Sequence, residues 1–386
     1  MFFPILSLSV HKSKILIALT NYLIQVAEMS VNYILKDISF PKNYTVEQVN
    51  FKSFSDKDWT EFLTLDELIE QENDPELPYS PEFIKRRMLL DPPNIYLEHW
   101  IVRLIEKPFT IVGFCLVNVL TPESPDYNTN GKTVRTWIAT HPDHRNKGLG
   151  TAFVSLLCQR GLELGKTEIS FSASALSGQN FMKRFTTKIA LDAAENRLTL
   201  KEVNWESIEQ WHTESKLKSP TTVVETYESI PDDVIVEFAK LQTSVLNDVP
   251  FGDLGLKFTI TPDQIRKWEN FGRQLKNVSI TKITREQDGR ISGMTEIKVN
   301  TSLPTVIDQG LTGVLREFRG RNLGMLLKSE MLLTIKERFP NAQFIITGNA
   351  DENAPMLRIN HALGFKRACS WKAYKFQIDE LVKKLN

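Results

Sequence analysis

At 386 residues the chain exceeds the usual size of a single hydrophobic core, so two domains are expected. Lysine plus arginine (47) equals aspartate plus glutamate (47), which excludes a chain whose overall charge draws it to nucleic acid or to a membrane surface. Cys115, Cys158 and Cys369 are scattered and odd in number, and the six histidines lack helical i, i+4 pairs; together these exclude a disulfide framework and predict no metal site. A reducing cytoplasm is the expected compartment.

In chain order, residues 1–30 read as an extension of uncertain status. Lys12 and Lys14 precede the apolar run Ile15 to Ala27, but Thr20, Asn21 and Gln25 interrupt it and it is too short to span a bilayer. An amphipathic run follows, Asp56 to Pro78. Ser80-Pro81-Glu82 then writes a helix start: a capping hydroxyl, proline at the first helical position and an acid in the first turn. Ile95 to Leu120 reads as a hairpin, and Thr133 to Thr140 as a strand. Next come the loop Arg145-Asn146-Lys147-Gly148-Leu149-Gly150 and a helix with Leu149, Ala152, Phe153, Leu156 and Leu157 on one face.

The same order then repeats. Asp232 to Pro250 is amphipathic, Thr261-Pro262-Asp263 starts a helix, and Val278 to Val299 reads as a hairpin. Thr305 to Leu315 reads as a strand leading to Arg319-Gly320-Arg321-Asn322-Leu323-Gly324 and a second apolar-faced helix. Two copies of one domain are inferred, 31–200 and 201–386, joined near the polar stretch Asn196 to Glu214. Strand, loop, helix is the order that points backbone N–H groups at an anion, so each copy predicts a site for a phosphorylated cofactor. Neither loop carries the third glycine and distal acid of a dinucleotide fingerprint, or the Gly-Lys-Ser/Thr of a P-loop.

Both loops resemble the Arg/Gln-x-x-Gly-x-Gly/Ala signature of the GNAT (GCN5-related N-acetyltransferase) superfamily. The first matches throughout, and the second has Asn322 in place of the first glycine. The tandem arrangement is similar to double-GNAT proteins of the mycothiol synthase-like kind. The resemblance implies an α/β (α+β) fold: two GNAT-like domains, each a mostly antiparallel sheet flanked by helices. It also implies acetyl-CoA as acyl donor, and a small-molecule or peptide amine as acceptor. Its cofactor contacts fall on Arg145, Asn146, Lys147, Gly148, Leu149 and Gly150 in the first copy. In the second they fall on Val314, Arg319, Gly320, Arg321, Asn322, Leu323 and Gly324, with Asn349 and Asn353 beside the CoA arm. Oligomeric state is left open.

An amine needs a base, because a lysine-type amine with pKa near 10.4 is almost wholly protonated at neutral pH. Asp308 falls where the mycothiol synthase-like pattern has a glutamate, and period-two alternation puts it on one face with Gly310, Thr312 and Val314. Glu296, on the neighbouring strand, is the second candidate base. The first copy has Val134 at the matching position, so catalysis is expected in the second copy. Asn349 to Phe365 resembles the closing GNAT segment with Asn360 in place of the usual tyrosine acid, leaving His361 or Tyr374 as substitutes. The departures at Asn322 and Asn360 keep a second reading open, a non-catalytic CoA-binding or protein-interaction module.

Overall fold

The computed structural model describes residues 38–385; the extension read at 1–30 lies outside them. Twelve strands form one mixed sheet in the order β1-β2-β3-β4-β5-β12-β6-β11-β10-β9-β8-β7. The first half supplies β1 (Tyr44–Val49), α1 (Asp56–Asn73), α2 (Pro81–Leu89), β2 (Ile95–Leu104), β3 (Ile111–Leu120), β4 (Thr133–Thr140), α3 (Leu149–Glu163), β5 (Glu168–Ala173) and α4 (Leu176–Met182). Then come β6 (Leu191–Thr199), α5 (Trp205–Lys218), β7 (Val223–Tyr227), α6 (Ile235–Asn247), α7 (Pro262–Gln274), β8 (Asn277–Arg285), β9 (Ile291–Asn300) and β10 (Val306–Val314). The chain ends with α8 (Leu323–Arg338), β11 (Phe344–Ala350), α9 (Ala354–Ala362), β12 (Lys366–Gln377) and α10 (Ile378–Leu385).

The helix starts legible in the sequence form as written. Ser80 Oγ accepts the Phe83 N–H ahead of α2, and Thr261 Oγ1 accepts the Gln264 N–H ahead of α7, with Pro81 and Pro262 at the first helical positions. In α3, Leu149, Phe153, Leu156 and Leu157 are buried against the β2–β4 sheet face with Val134 and Cys115. In α8, Met331, Leu332 and Ile335 pack on Ile297, Ile307 and Ile345 in the same way. Each half thus buries the apolar stripe of its post-loop helix on its own sheet.

Division by sequence order does not anticipate how the halves are finished. Asn196 to Glu214, read as a joining stretch, is the end of β6, a 3-10 turn and most of α5. β6 pairs with β11 of the second half, and β12, the last strand, pairs with β5 of the first. The two meet edge to edge at the centre, β12 against β6. Each final strand carries a helix with it: α10 buries Ile378 and Leu381 in the core of the first half, and α5 buries Ile208 in that of the second. The physical reason is edge satisfaction, since without the exchanged strand each half would expose a long row of unpaired N–H and C=O groups.

A chain truncated after Phe365 should therefore lose the first half as well as its own end. It would bare one edge of β5 and one edge of β6 and remove Ile378 and Leu381 from the first-half core, each side chain worth roughly 1.5–3 kcal/mol of burial. Circular dichroism and size exclusion should show loss of the cooperative transition and aggregation; a truncated chain that melts like the whole would contradict this arrangement.

Candidate active site

Within each half one pair of strands is parallel and soon parts. β4 and β5 pair only over Thr133–Thr136 against Glu168–Phe171, and β10 and β11 only over Val306–Asp308 against Phe344–Ile346. Beyond those points one edge of β4 and one edge of β10 have no strand partner, which leaves their main-chain groups available to a ligand. Between β4 and β5 the gap is a cleft of about 450 Å³, walled by Thr136–Thr140 and Phe171–Ala175, with Glu72 and Asn73 of α1, Phe181 of α4 and the first loop around it.

The two loops have the same backbone. In the first, Asn146 (φ 58°) and Gly148 (φ 90°) are left-handed; in the second, Gly320 (φ 82°) and Asn322 (φ 65°) are. Glycine and asparagine have exchanged places, and asparagine tolerates this region better than other side chains do. Asn322 thus keeps the loop geometry at the position where the signature has glycine. Each loop is a concavity of main-chain amides opening a helix, the arrangement that binds anions without side-chain charge. Gly150 and Gly324 follow in the first helical turn, where Phe181 and Ile359 lie so close that a Cβ would sit 3.1 Å from each.

The arginines expected to meet phosphate brace the loops in this structure. Arg145 donates from Nε to the Thr140 carbonyl (3.2 Å) and grips Glu72 with both Nη atoms; Arg319 donates to the Val314 carbonyl (2.9 Å) and to Asp248 (2.6 Å). Arg321 is held by Thr222 and Glu286, and the Asn322 amide by Ser215. Lys147, in contrast, is exposed, and no ion pair holds it among the described residues. The side chains of Leu149 and Leu323 are buried in the core, so only their main-chain amides face a ligand.

On β10 the expected alternation is interrupted. Gln309 pairs with Ile297 and Thr312 with Thr295, so Gly310 and Leu311 together oppose Glu296 in a β-bulge. Asp308 therefore shares a face with Lys298 and Glu296, while Thr312 and Val314 turn to the opposite face, toward α8. That corrects the single face read for Asp308, Gly310, Thr312 and Val314. The extra residue also shifts the comparison between halves: counted from the parallel pairings, Asp308 matches Arg135, not Val134. A Cβ at 310 would lie 2.7 Å from Glu296 Oε1, so glycine is needed there, and that oxygen accepts the Leu311 N–H (3.3 Å). The Asp308 carboxyl is raised above the usual carboxylate range by the surrounding protein and by Glu296, against an opposing effect of Lys298.

Asn349 and Asn353 have other partners. Asn353 caps α9 through the Met356 N–H (3.4 Å). Asn349 belongs to a buried polar chain in the second half: Lys328 Nζ donates to Asn360 Oδ1 (2.6 Å), and the amides of Asn360 (2.8 Å) and Asn196 (3.1 Å) both donate to Asn349 Oδ1. In the first half the matching positions are Val154, Met182, Ala173 and Tyr374, a largely apolar set. Burial pushes the Lys328 amine down to about 7. One sign of it is visible in the spacing, since Lys328 stands four residues after Gly324 and four before Leu332, on the core side of α8. His361 and Tyr374, named as substitutes for the missing acid, differ here: His361 is exposed, whereas Tyr374 is buried in the first-half core, and Asn360, in the tyrosine's place, belongs to the polar chain.

The two splayed gaps are not brought together. β4 and β10 are five strand steps apart, roughly 24 Å at about 4.8 Å per step. Of the residues singled out in the sequence, the first loop lies beside the cleft described above, and Asp308 with Glu296 belongs to the other gap.

Residues 57–186 match the acetyltransferase (GNAT) family model, a span that runs from α1 past α4 and contains the whole first cleft. No curated protein sequence matches the chain. Among solved structures, a tandem GNAT protein from the clavulanic acid biosynthesis pathway superimposes with TM-score 0.68 at 19% identity, covering 87% of this chain and 98% of that one. A GCN5-related N-acetyltransferase from Sphaerobacter thermophilus gives 0.59 at 15% identity, covering 88% and 97%. Saccharomyces cerevisiae N-myristoyltransferase with bound myristoyl-CoA and inhibitors gives 0.54 at 13%, covering 89% and 83%. The chain has the fold of tandem GNAT proteins, and its match to the acetyltransferase (GNAT) family model lies in the half that holds the β4–β5 cleft.

Proposed function

We propose that the chain is an acyl-CoA-dependent N-acyltransferase whose thioester lies in the first-half cleft. The observation that carries this reading is the 450 Å³ opening between β4 and β5 with the 145–150 amide loop beside it. The loop amides and Lys147 would hold the pyrophosphate, and the unpaired edge of β4 would polarise the thioester carbonyl. The amine attacks the carbonyl carbon, the C–S bond breaks, and the CoA thiolate leaves and takes up the proton lost by nitrogen. Acetyl is the proposed acyl group, and a primary amine the acceptor.

A second reading keeps the chemistry in the second half. It is favoured by the Asp308 carboxyl, raised above the usual carboxylate range and on one sheet face with Glu296 at the other gap, a candidate general base. Turnover of acetyl-CoA against a panel of amines, read as thiol release and product mass, separates the two. Under the first reading Asp308→Asn and Glu296→Gln retain at least half of wild-type kcat/KM, because they lie five and six strands from β4, roughly 24 Å or more. A loss of a hundredfold or more in either variant would move the active site to the second half. Acetyl-CoA binding without release across the panel would favour the non-catalytic module.

A further inference from the structure

A second cavity, about 190 Å³, lies between the halves, with Leu120, Asp126 and Arg135 on one side and Phe258, Gln264 and Trp268 on the other. Two of its polar side chains are unspent. Gln264 is 8% exposed, and its Oε1 is buried without a hydrogen-bond partner. Arg135 has no hydrogen bond or ion pair among the described residues; burial lowers its pKa, and Asp126 acts on it only through its field. Asp126 itself is engaged by the Thr259 N–H (2.5 Å). Leaving a buried acceptor and a guanidinium unpaired costs free energy that a ligand would recover. Around them Ile95, Leu120, Phe258 and Ile260 form apolar wall beside Asn94 and Ser124, with Trp268 41% exposed at the rim.

We propose that this cavity receives the C-terminal amino-acid unit of a peptide-like acceptor. Its carboxylate would pair with Arg135, the adjoining N–H would donate to Gln264 Oε1, and its side chain would lie against Trp268, Phe258 and Leu120. The placement rests on the first-half reading above, because Arg135 immediately precedes Thr136, where the cleft begins. From Arg135 to residues 137–138 is roughly 7–10 Å along the strand, about the length of an extended dipeptide. A molecule of that size anchored here would present its α-amine at the splay, and an α-amine, with pKa about 7.7–8.0, needs little help from a base.

The test pairs N-acetylleucine with N-acetylleucinamide, which differ in the carboxylate, using saturation-transfer NMR and calorimetry on the full chain. The acid should bind at least tenfold more tightly than the amide. Arg135→Gln should erase that preference, and Gln264→Leu should weaken both ligands. In turnover with acetyl-CoA, glycylleucine should exceed glycylleucinamide at least tenfold in kcat/KM, through KM, with the difference lost in Arg135→Gln. Equal binding of acid and amide, no binding of either, or a preference that survives Arg135→Gln overturns the proposal even if acetyl-CoA binds. Carboxylate binding in a protein that does not bind acetyl-CoA would instead remove the acyltransferase reading, and with it the acceptor role of the cavity.

Discussion

Gly148→Val should raise the dissociation constant for acetyl-CoA about a hundredfold, close to 2.8 kcal/mol. Gly148 sits at φ 90°, a region that a β-branched residue enters only as an outlier, so the loop must rearrange and the amides leave the anion. Gly320→Val is the control. At φ 82° it imposes the same kind of strain on the second loop, where a Cβ meets nothing within 4 Å, yet it should leave the tight binding unchanged. Calorimetry on both variants measures the difference. Loss in Gly320→Val with retention in Gly148→Val would assign the cofactor to the second half.

Lys328→Met should stabilise the protein at pH 7 by several degrees in Tm. The wild-type side chain is 1% exposed, has Asn360 Oδ1 as its hydrogen-bond partner and otherwise faces the Phe365 ring at 5.0 Å. A buried amine lacking a carboxylate is costly, while the first half fills the same place with Val154. The pH dependence fixes the sign. With a folded pKa of about 7 against an ordinary value near 10.4, the unfolded chain binds more protons between those limits, so stability rises with pH across that window. Below pH 7 both states are protonated and the contribution is flat. Thermal melts at pH 6, 7, 8 and 9 should show a rise above pH 7 in wild type that is absent in Lys328→Met; parallel curves would show that Lys328 does not titrate there.

What could be read in the sequence was local. The helix starts at Ser80 and Thr261 depend on side chains three residues from the N–H groups they cap, and the amide loops on six consecutive residues, so their signals survive without tertiary information. Asn322 looked like a departure from the signature because a residue type was compared; its φ of 65° shows that the conformation is kept. The features that sequence order missed all depend on distant pairing. The exchange of β6 and β12 rests on Leu191–Thr199 meeting Phe344–Ala350, and Lys366–Gln377 meeting Glu168–Ala173. Neither strand carries a mark that names its neighbour. The bulge opposite Glu296 moved Asp308 one place relative to the first half, and only Gly310 hinted at it. The site was legible as a pair of equal loops, but not what lies beside each: a buried polar chain from Lys328 to Asn196 in one half, and in the other a cleft lined in part by the corresponding Ala173 and Met182.

A crystal structure of the chain with acetyl-CoA should show the pyrophosphate on the amides of residues 146–150 and the thioester between β4 and β5. Acetyl-CoA on residues 319–324 alone, or lying outside the β4–β5 cleft, would contradict that placement.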